Sequence, residues 1–559
     1  MFGLTRRASL PYVHDLDAPL LALSPQDEWR LRDACEGTAI FGGTGSGKSS
    51  GSGRALAHAF LRAGFGGLVL CAKQHEERER WSAYARQTGR ERSLIVFDAS
   101  GERRFNFLEY EIARATAAGS LDIGNVVSLF MRIADAASTG TGRREEKEPF
   151  FRDATRGVLK NAILALWHGQ GRLRLPEIVR MIDTGPRDLT ELKDAGWRAN
   201  SFHFQTLGRM LNEPLHPLPE EEGEEVAMYW QRMLTRYGAK TTGSIIATVT
   251  TMLEPFLTGK MRELFCTTTS IVPEITHEGA VLLVDLPVKQ WHQTGIIAQH
   301  IVKYLWQRAT ESRRVIPTTR PVFLWVDECQ FFASEYDNEF QSTARASRAC
   351  TVYLTQNLAG MYHASPADNP EYATENLFGN FQTKIFHGNL EPKTNYWAAE
   401  MIGKGVQWRR NVGENESEGD STGTSYGENV GANRGSGYGS ARSTSRNRAA
   451  NYSSTHGDNT WSSGSGWSHG SNEGTSDSEN RSMGKSRGVS TGLNQSRTRS
   501  AGRSMGASEV VDYHLQPAAF TTLRNGGTEN DCIVDGIVVK AKRWKHSKSV
   551  WLPCEFSQV

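Results

Sequence analysis

The sequence predicts an α/β protein: a parallel sheet flanked by helices, interrupted by an all-α inserted block and followed by a long disordered Ser/Gly-rich insertion. Three observations predict it. Short apolar runs of strand length alternate with helical patterns over 37–110 and again over 276–410, as expected of strand–helix–strand units. Between them, over 111–275, strand patterns give way to helical spacing. Over 411–506 aliphatic residues almost vanish and Ser, Gly, Asn and Arg dominate, so little apolar surface is available to offset ordering entropy.

Residues 1–36 form a mixed lead-in with little periodicity. The run Thr38-Ala39-Ile40-Phe41 reads as a strand, and Arg54 to Leu61 as a helix. Between them stands Gly42-Gly43-Thr44-Gly45-Ser46-Gly47-Lys48-Ser49, which fits the phosphate-loop pattern G-x-x-x-x-G-K-[ST]. Glycines let backbone N–H groups converge on a phosphate, and the following helix adds its positive end. Lys48 is expected to reach the β- and γ-phosphates of ATP, and Ser49 to ligate Mg²⁺, with Ser50 completing the binding loop. Gly67 to Ala72 and Leu94 to Asp98 read as buried strands separated by a charged helix. Lys73 follows the first of these at the sheet edge where ligands bind in such folds.

Within the helical block, Val158 to Trp167 has helical spacing and Glu220 to Glu225 is an acidic run with the character of a solvated face. Strands return at Ala280 to Leu286, with a helix over Thr294 to Glu311, then strands at Val322–Val326, Thr351–Thr355 and Thr383–His387. The segment 507–559 reads as β structure completing the sheet, with strand–turn–strand at Asp531 to Lys540. Lys540, Lys542, Arg543, Trp544, Lys545 and Lys548 form a basic cluster suited either to phosphates or to a solvated hairpin face. Within 411–506, arginines with Trp461 and Trp467 suit either a solubilising linker or a stacking surface for a partner.

Composition narrows the function. In 559 residues the net charge is +2, so any nucleic-acid contact must be a local patch. Seven cysteines lie far apart with no C-x-x-C pair or zinc spacing, which fits a reducing compartment. No run approaches the roughly twenty apolar residues that span a bilayer. These readings place the chain in the cytoplasm, with any inner-membrane attachment made through partners.

The run Val322-Phe323-Leu324-Trp325-Val326-Asp327-Glu328 is a Walker B pattern: a buried strand delivering two acids beside the phosphate loop. Asp327 is expected to hold Mg²⁺, directly or through water, and Glu328 to accept a proton from the attacking water. Gln356 ends the strand Thr351–Thr355 and is placed to orient that water or sense the γ-phosphate. Arg345 and Arg348 precede the same strand, and arginine is the residue suited to developing phosphoryl charge.

Taken together, these residues resemble the TraG/TraD-type coupling proteins of type IV secretion, members of the FtsK/HerA superclass of ring-forming ATPases. The resemblance rests on the loop at 42–49, on Phe105-Asn106-Phe107-Leu108, on the helical block between the Walker motifs, and on Asp327-Glu328-Cys329-Gln330 followed by arginines and Leu354-Thr355-Gln356-Asn357. Phe107 stands where the family has proline, and the Ser/Gly-rich insertion far exceeds the short polar loop expected there. The resemblance implies a RecA-like P-loop ATPase sheet, an ATP- and Mg²⁺-dependent motor assembled as a homo-hexamer, and DNA, relaxase and secretion-channel proteins as partners. It also implies that Arg345, eleven residues before Gln356, is an arginine finger serving the neighbouring subunit. The family usually carries an N-terminal transmembrane anchor, and none is visible here. Two other readings fit the same motifs: a HerA-like DNA translocase working with a nuclease or defence partner, and a nucleotide-switched scaffold.

Overall fold

The computed structural model describes residues 14–117, 123–138, 149–365, 367–429, 439–457, 460–478 and 488–559, with only the backbone path for 409–507. The chain divides into two compact units, Met1–Ala398 with Gln516–Val559, and Ala399–Leu515.

The first unit is built on a nine-stranded sheet. Its strands are β1 (Thr38–Phe41), β2 (Gly66–Leu70), β3 (Leu94–Asp98), β4 (Val281–Asp285), β5 (Val322–Val326), β6 (Ala349–Thr355), β7 (Thr383–Phe386), β8 (Ile533–Lys540) and β9 (Trp551–Ser557). The order across the sheet is β9-β8-β7-β1-β6-β5-β2-β4-β3. Pairing from β7 to β3 is parallel, and β8 and β9 add antiparallel to the β7 edge. Most residues of the central strands are apolar because both faces are covered. On one face Phe60, Trp81 and Phe323 stack, with centroids 5.4 and 5.5 Å apart. On the other, Phe41 stacks on Phe386 at 5.2 Å and meets Trp397 edge-on at 5.5 Å. Burying a ring of this size contributes about 1.5–3 kcal/mol.

The topology positions the site. After β1, helix α1 (Ser52–Arg62) leads to β2, which lies beyond β6 and β5. The crossover leaves a crevice at the carboxyl ends of β1, β6 and β5, where ligands bind in open α/β sheets. Helix α2 (Glu76–Gln87) follows β2 and returns to the chain leading into β3.

Between Asp98 and Val281 the described residues form helices and no strand. The main ones are α3 (Phe107–Ala117), α4 (Ile123–Ser138), α5 (Pro149–Gln170), α6 (Leu175–Asp183), α7 (Phe202–Asn212) and α8 (Glu220–Leu253). Helix α5 buries Val158, Leu159, Ala162, Ile163 and Leu166, an i, i+4 stripe packed against α6, α7 and α8. Helix α8 is broken at Gly238, with φ +71°. The block is pinched where it meets the sheet. Phe105 N–H donates to Leu264 C=O at 2.7 Å. The Asn106 side chain accepts from Glu109 N–H at 3.2 Å, capping α3, and donates to Thr267 C=O at 3.3 Å. The motif around Asn106 therefore ties the two ends of the helical block together.

Helix α9 (Val288–Glu311) starts six residues before the expected position, because a turn broken at His292 (φ +47°) precedes the regular helix. The lead-in supplies more than its composition suggests. Trp29, Leu31 and Cys35 are buried in the core, and the Asp27 carboxylate accepts from Lys545 and His546 N–H at 2.7 and 2.9 Å. Trp544 of the basic cluster is also buried, with the Lys540 ammonium 3.8 Å from its ring centroid, so it offers no stacking face. All seven cysteines are free thiols.

In the second unit the backbone follows four antiparallel strands, Lys404–Asn429, Gly439–Gly457, Thr460–Ser478 and Gly488–Tyr513. Their register sets Glu414, Glu418 and Asp420 opposite Arg503, Arg499 and Arg497. Backbone pairing, without an aliphatic core composition, characterises this insertion. The stacking role raised for Trp461 and Trp467 concerns side chains outside the described residues.

Four histidines, three buried and one partly buried, set an acid limit on stability. Burial lowers His203, His277 and His387 to about 4 and His300 to about 3. Unfolded, each takes a proton near pH 6.5, so the unfolded chain binds more protons between that pH and about 4. The melting temperature is expected to fall as pH drops through this window. A flat profile in calorimetry from pH 7 to 4.5 would contradict it.

Candidate nucleotide site

The phosphate loop leaves β1 and turns with Gly45 and Gly47 at φ +75° and +81°. Residues 48–51 form a turn before the regular helix, with Gly51 N–H on Gly47 C=O at 2.7 Å and Gly53 N–H on Lys48 C=O at 2.8 Å. Gly47 is required twice over. Its φ disfavours a side chain, and a Cβ there would lie 2.5 Å from Val534 Cγ2 on β8. Gly43 N–H donates to Gly388 C=O at 2.8 Å, and the Tyr84 hydroxyl donates to Ser49 C=O at 3.1 Å, which pins the loop from both sides.

The two Walker motifs meet. Ser49 Oγ donates to Asp327 Oδ2 at 2.9 Å. Glu328 follows in the left-handed region, with φ +49°, and its N–H donates to Asp327 Oδ1 at 2.9 Å. Such backbone costs about 1–2 kcal/mol for a non-glycine residue and here aims the second acid into the crevice. Gln356 lies between the motifs, because β6 is inserted between β1 and β5. Its Oε1 accepts from Thr44 Oγ1 at 3.2 Å, and its Nε2 donates to Glu328 at 3.4 Å. Gln330 Nε2 donates to Glu328 Oε2 at 2.9 Å. Lys73 Nζ lies 3.4 Å from Glu328 Oε1.

The electrostatics follow from these contacts. Burial lowers the Lys48 ammonium, while Asp327 and Glu328 oppose the shift. Burial alone would raise the Glu328 carboxyl, but Gln330, Lys73, Lys48 and Gln356 together hold it below its usual value. Glu328 is therefore a carboxylate at neutral pH, able to accept a proton. Glu77 behaves oppositely: burial and the Asp327 charge push it up to about 7.

The residues fit a Mg²⁺-nucleotide. Lys48 is buried, yet among the described residues its ammonium makes a single long contact, to Gly43 C=O at 3.4 Å. Ser46 Oγ is buried and unpartnered. Both are donors that a phosphate oxygen would satisfy. Adjacent ligands of an octahedral Mg²⁺ with bonds of about 2.0–2.1 Å stand about 2.9 Å apart. The Ser49 and Asp327 oxygens have that spacing. Among the described residues no cluster of three or more His, Cys, Asp and Glu could hold a metal ion.

Other expected residues lie elsewhere. Ser50 Oγ accepts from Gln558 Nε2 at 2.6 Å. Arg345 precedes β6 whereas Gln356 follows it, so the whole strand, about 20 Å, separates them. Its side chain is 57% exposed and pairs with Glu36 at 3.1 Å. Arg348 donates to the Pro317 and Thr319 carbonyls at 3.0 Å, a bracing role.

Sequence reasoning missed four neighbours of the site. Arg80 on α2 lies 3.3 Å from Asp327. His387 bridges Ser52 Oγ at 2.6 Å and Asp535 C=O at 2.7 Å. Val534 fills the space beneath Gly47 and Gly51, and Gln558 holds Ser50. None carries a motif, and only the charged character of α2 marked Arg80.

No known sequence family matches the chain, and no curated protein matches it in sequence. Solved structures do match. The bacterial conjugative coupling protein TrwBdeltaN70 is 12% identical with a TM-score of 0.50, covering 95% of this chain and 87% of that one. The plasmid coupling protein TrwB in complex with the non-hydrolysable ATP analogue ADPNP is 15% identical with a TM-score of 0.43, covering 67% of this chain and 76% of that one. VirB4 of Thermoanaerobacter pseudethanolicus is 13% identical with a TM-score of 0.38, covering 65% and 80%. Among the described residues no helix is long and apolar enough to cross a membrane. Around its phosphate loop and Walker acids, the chain has the fold of a conjugative coupling protein.

Proposed function

We propose that the protein is a P-loop ATPase that couples ATP hydrolysis to DNA transfer, working as a homo-hexameric ring at a type IV secretion or conjugation channel. The observation that carries the ATPase reading is the 2.9 Å bond from Ser49 to Asp327, which joins two motifs 278 residues apart. Lys48 and the backbone of Gly42 to Ser49 hold the phosphates, with Ser49 and Asp327 holding Mg²⁺. The metal, when bound, neutralises charge on the phosphates. Glu328 accepts the proton of the attacking water, and Gln356, bonded to both Thr44 and Glu328, orients that water. DNA as cargo, with relaxase and channel proteins as partners, is supported by the fold shared with a conjugative coupling protein.

In a ring, Arg345 serves the neighbouring subunit. Its exposure and its distance from its own Gln356 support that role over one within the same chain. The test is turnover with and without single- and double-stranded DNA, with mass measured on the same sample. DNA-stimulated turnover in a hexamer is the expected result. Arg345→Ala is expected to lose about 10³-fold or more in turnover while keeping nucleotide affinity. Unchanged turnover in that variant would remove the finger, and ATP hydrolysis indifferent to DNA would remove the motor.

A further inference from the structure

Asp327 Oδ2 is claimed by two donors at once. Ser49 Oγ lies 2.9 Å away and Arg80 Nη1 3.3 Å away. The other Asp327 oxygen already accepts from Glu328 N–H. Arg80 comes from α2 and is largely buried, its side chain 20% exposed. One turn earlier on the same helix, Glu76 accepts from the other arm of the guanidinium, Arg80 Nη2. Glu76 also lies 3.7 Å from Lys73, the residue that pairs with Glu328. One exposed carboxylate thus stands beside both cations that hold the Walker acids.

An oxygen with two lone pairs, both engaged by donors, has none left for a cation. A guanidinium and a divalent ion within about 4 Å also repel each other strongly in a poorly solvated crevice. Ser49 can turn its lone pair to a metal without moving. Arg80 cannot, because it has no acceptor atoms. Its one alternative partner among the described residues is Glu76, which it already touches.

We propose that Arg80 and the Mg²⁺ of a bound nucleotide compete for Oδ2 of Asp327, with Glu76 as the carboxylate that retains Arg80 once it is displaced. Arg80 is then a positioning residue that sets the metal requirement of the site, and α2 is the element that responds to loading. This rests on the reading of Ser49 and Asp327 as the metal-holding pair.

The test is equilibrium binding of a fluorescent non-hydrolysable ATP analogue, titrated with Mg²⁺ and repeated in EDTA. Arg80→Gln is expected to lower the Mg²⁺ concentration for half-maximal binding by about tenfold, within the usual range of such couplings, and to leave affinity in EDTA unchanged. Glu76→Gln acts in the opposite direction, because Arg80 then has only Asp327 to hold it, and raises the Mg²⁺ requirement. An equal or higher Mg²⁺ requirement in Arg80→Gln would overturn the competition. So would a loss of affinity in EDTA, since Arg80 would then be touching phosphate. These results leave the nucleotide site itself standing. Absence of nucleotide binding by the unaltered protein at any Mg²⁺ concentration would instead overturn the assignment of the site, and the competition with it.

Discussion

Replacing Glu328 by Gln is expected to leave Mg²⁺-nucleotide binding intact while slowing hydrolysis by about 10²–10⁴-fold. The amide has the shape of the carboxylate and can keep a contact with Gln330, so the crevice is preserved. What it loses is the capacity to take a proton. That capacity is specific to Glu328, because its neighbours hold it ionised at neutral pH despite burial. Asp327, one residue away, cannot substitute, since its Oδ1 accepts from the Glu328 N–H and its Oδ2, beside Ser49, is the oxygen proposed to face the metal. The check is turnover at saturating Mg²⁺-ATP beside binding of a fluorescent analogue. Turnover near that of the unaltered protein would show that the proton goes elsewhere.

Replacing Lys48 by Ala is expected to weaken nucleotide binding by about 10–150-fold, the loss that follows removal of a hydrogen bond to a charged group. Its effect on the fold runs differently. The buried ammonium is poorly satisfied, with one contact at 3.4 Å, so its removal takes little from the folded state. The variant is therefore expected to melt within a few degrees of the unaltered protein when nucleotide is absent. Nucleotide at 100 times the unaltered protein's dissociation constant stabilises that protein by about 2.7 kcal/mol and is expected to stabilise the variant by only about 0.3–1.4 kcal/mol. Thermal melts with and without ATP analogue measure both. An unchanged nucleotide-induced shift would remove Lys48 from the site.

Glu77 adds a refinement to the acid profile. Its carboxyl, raised to about 7, keeps a proton in the folded state that the unfolded chain gives up near 4.5. Its contribution to stability therefore falls as pH rises between those values, against the four histidines. Glu77→Gln is expected to steepen the loss of melting temperature below pH 6.5, a change read in the same calorimetric series.

The sheet was legible wherever its strands were buried on both faces. Val322–Val326 and Ala349–Thr355, buried throughout, read directly as apolar runs, and the residues at their ends carried the chemistry. Asp327, Glu328 and Gln356 could be named because a strand end fixes where the next side chain goes. The neighbours of the site were not legible for the converse reason. Arg80 sits in a helix whose surface is charged almost throughout, so nothing in its spacing separates the arginine that reaches Asp327 from Arg78, which pairs with Asp98. Val534 and His387 act through tertiary contacts alone. The lead-in hid Trp29 and Leu31 because strands of three and four residues and a five-residue helix are too short to show a period.

The seat of Val534 against the phosphate loop also has a consequence in time. The loop and the residue that fills the space beneath it are about 490 residues apart, about 25–100 s of synthesis at 5–20 residues per second. Throughout that interval the nascent chain carries a recognisable phosphate loop without its support from β8. The far edge of the sheet is thus the last support of the phosphate loop to leave the ribosome.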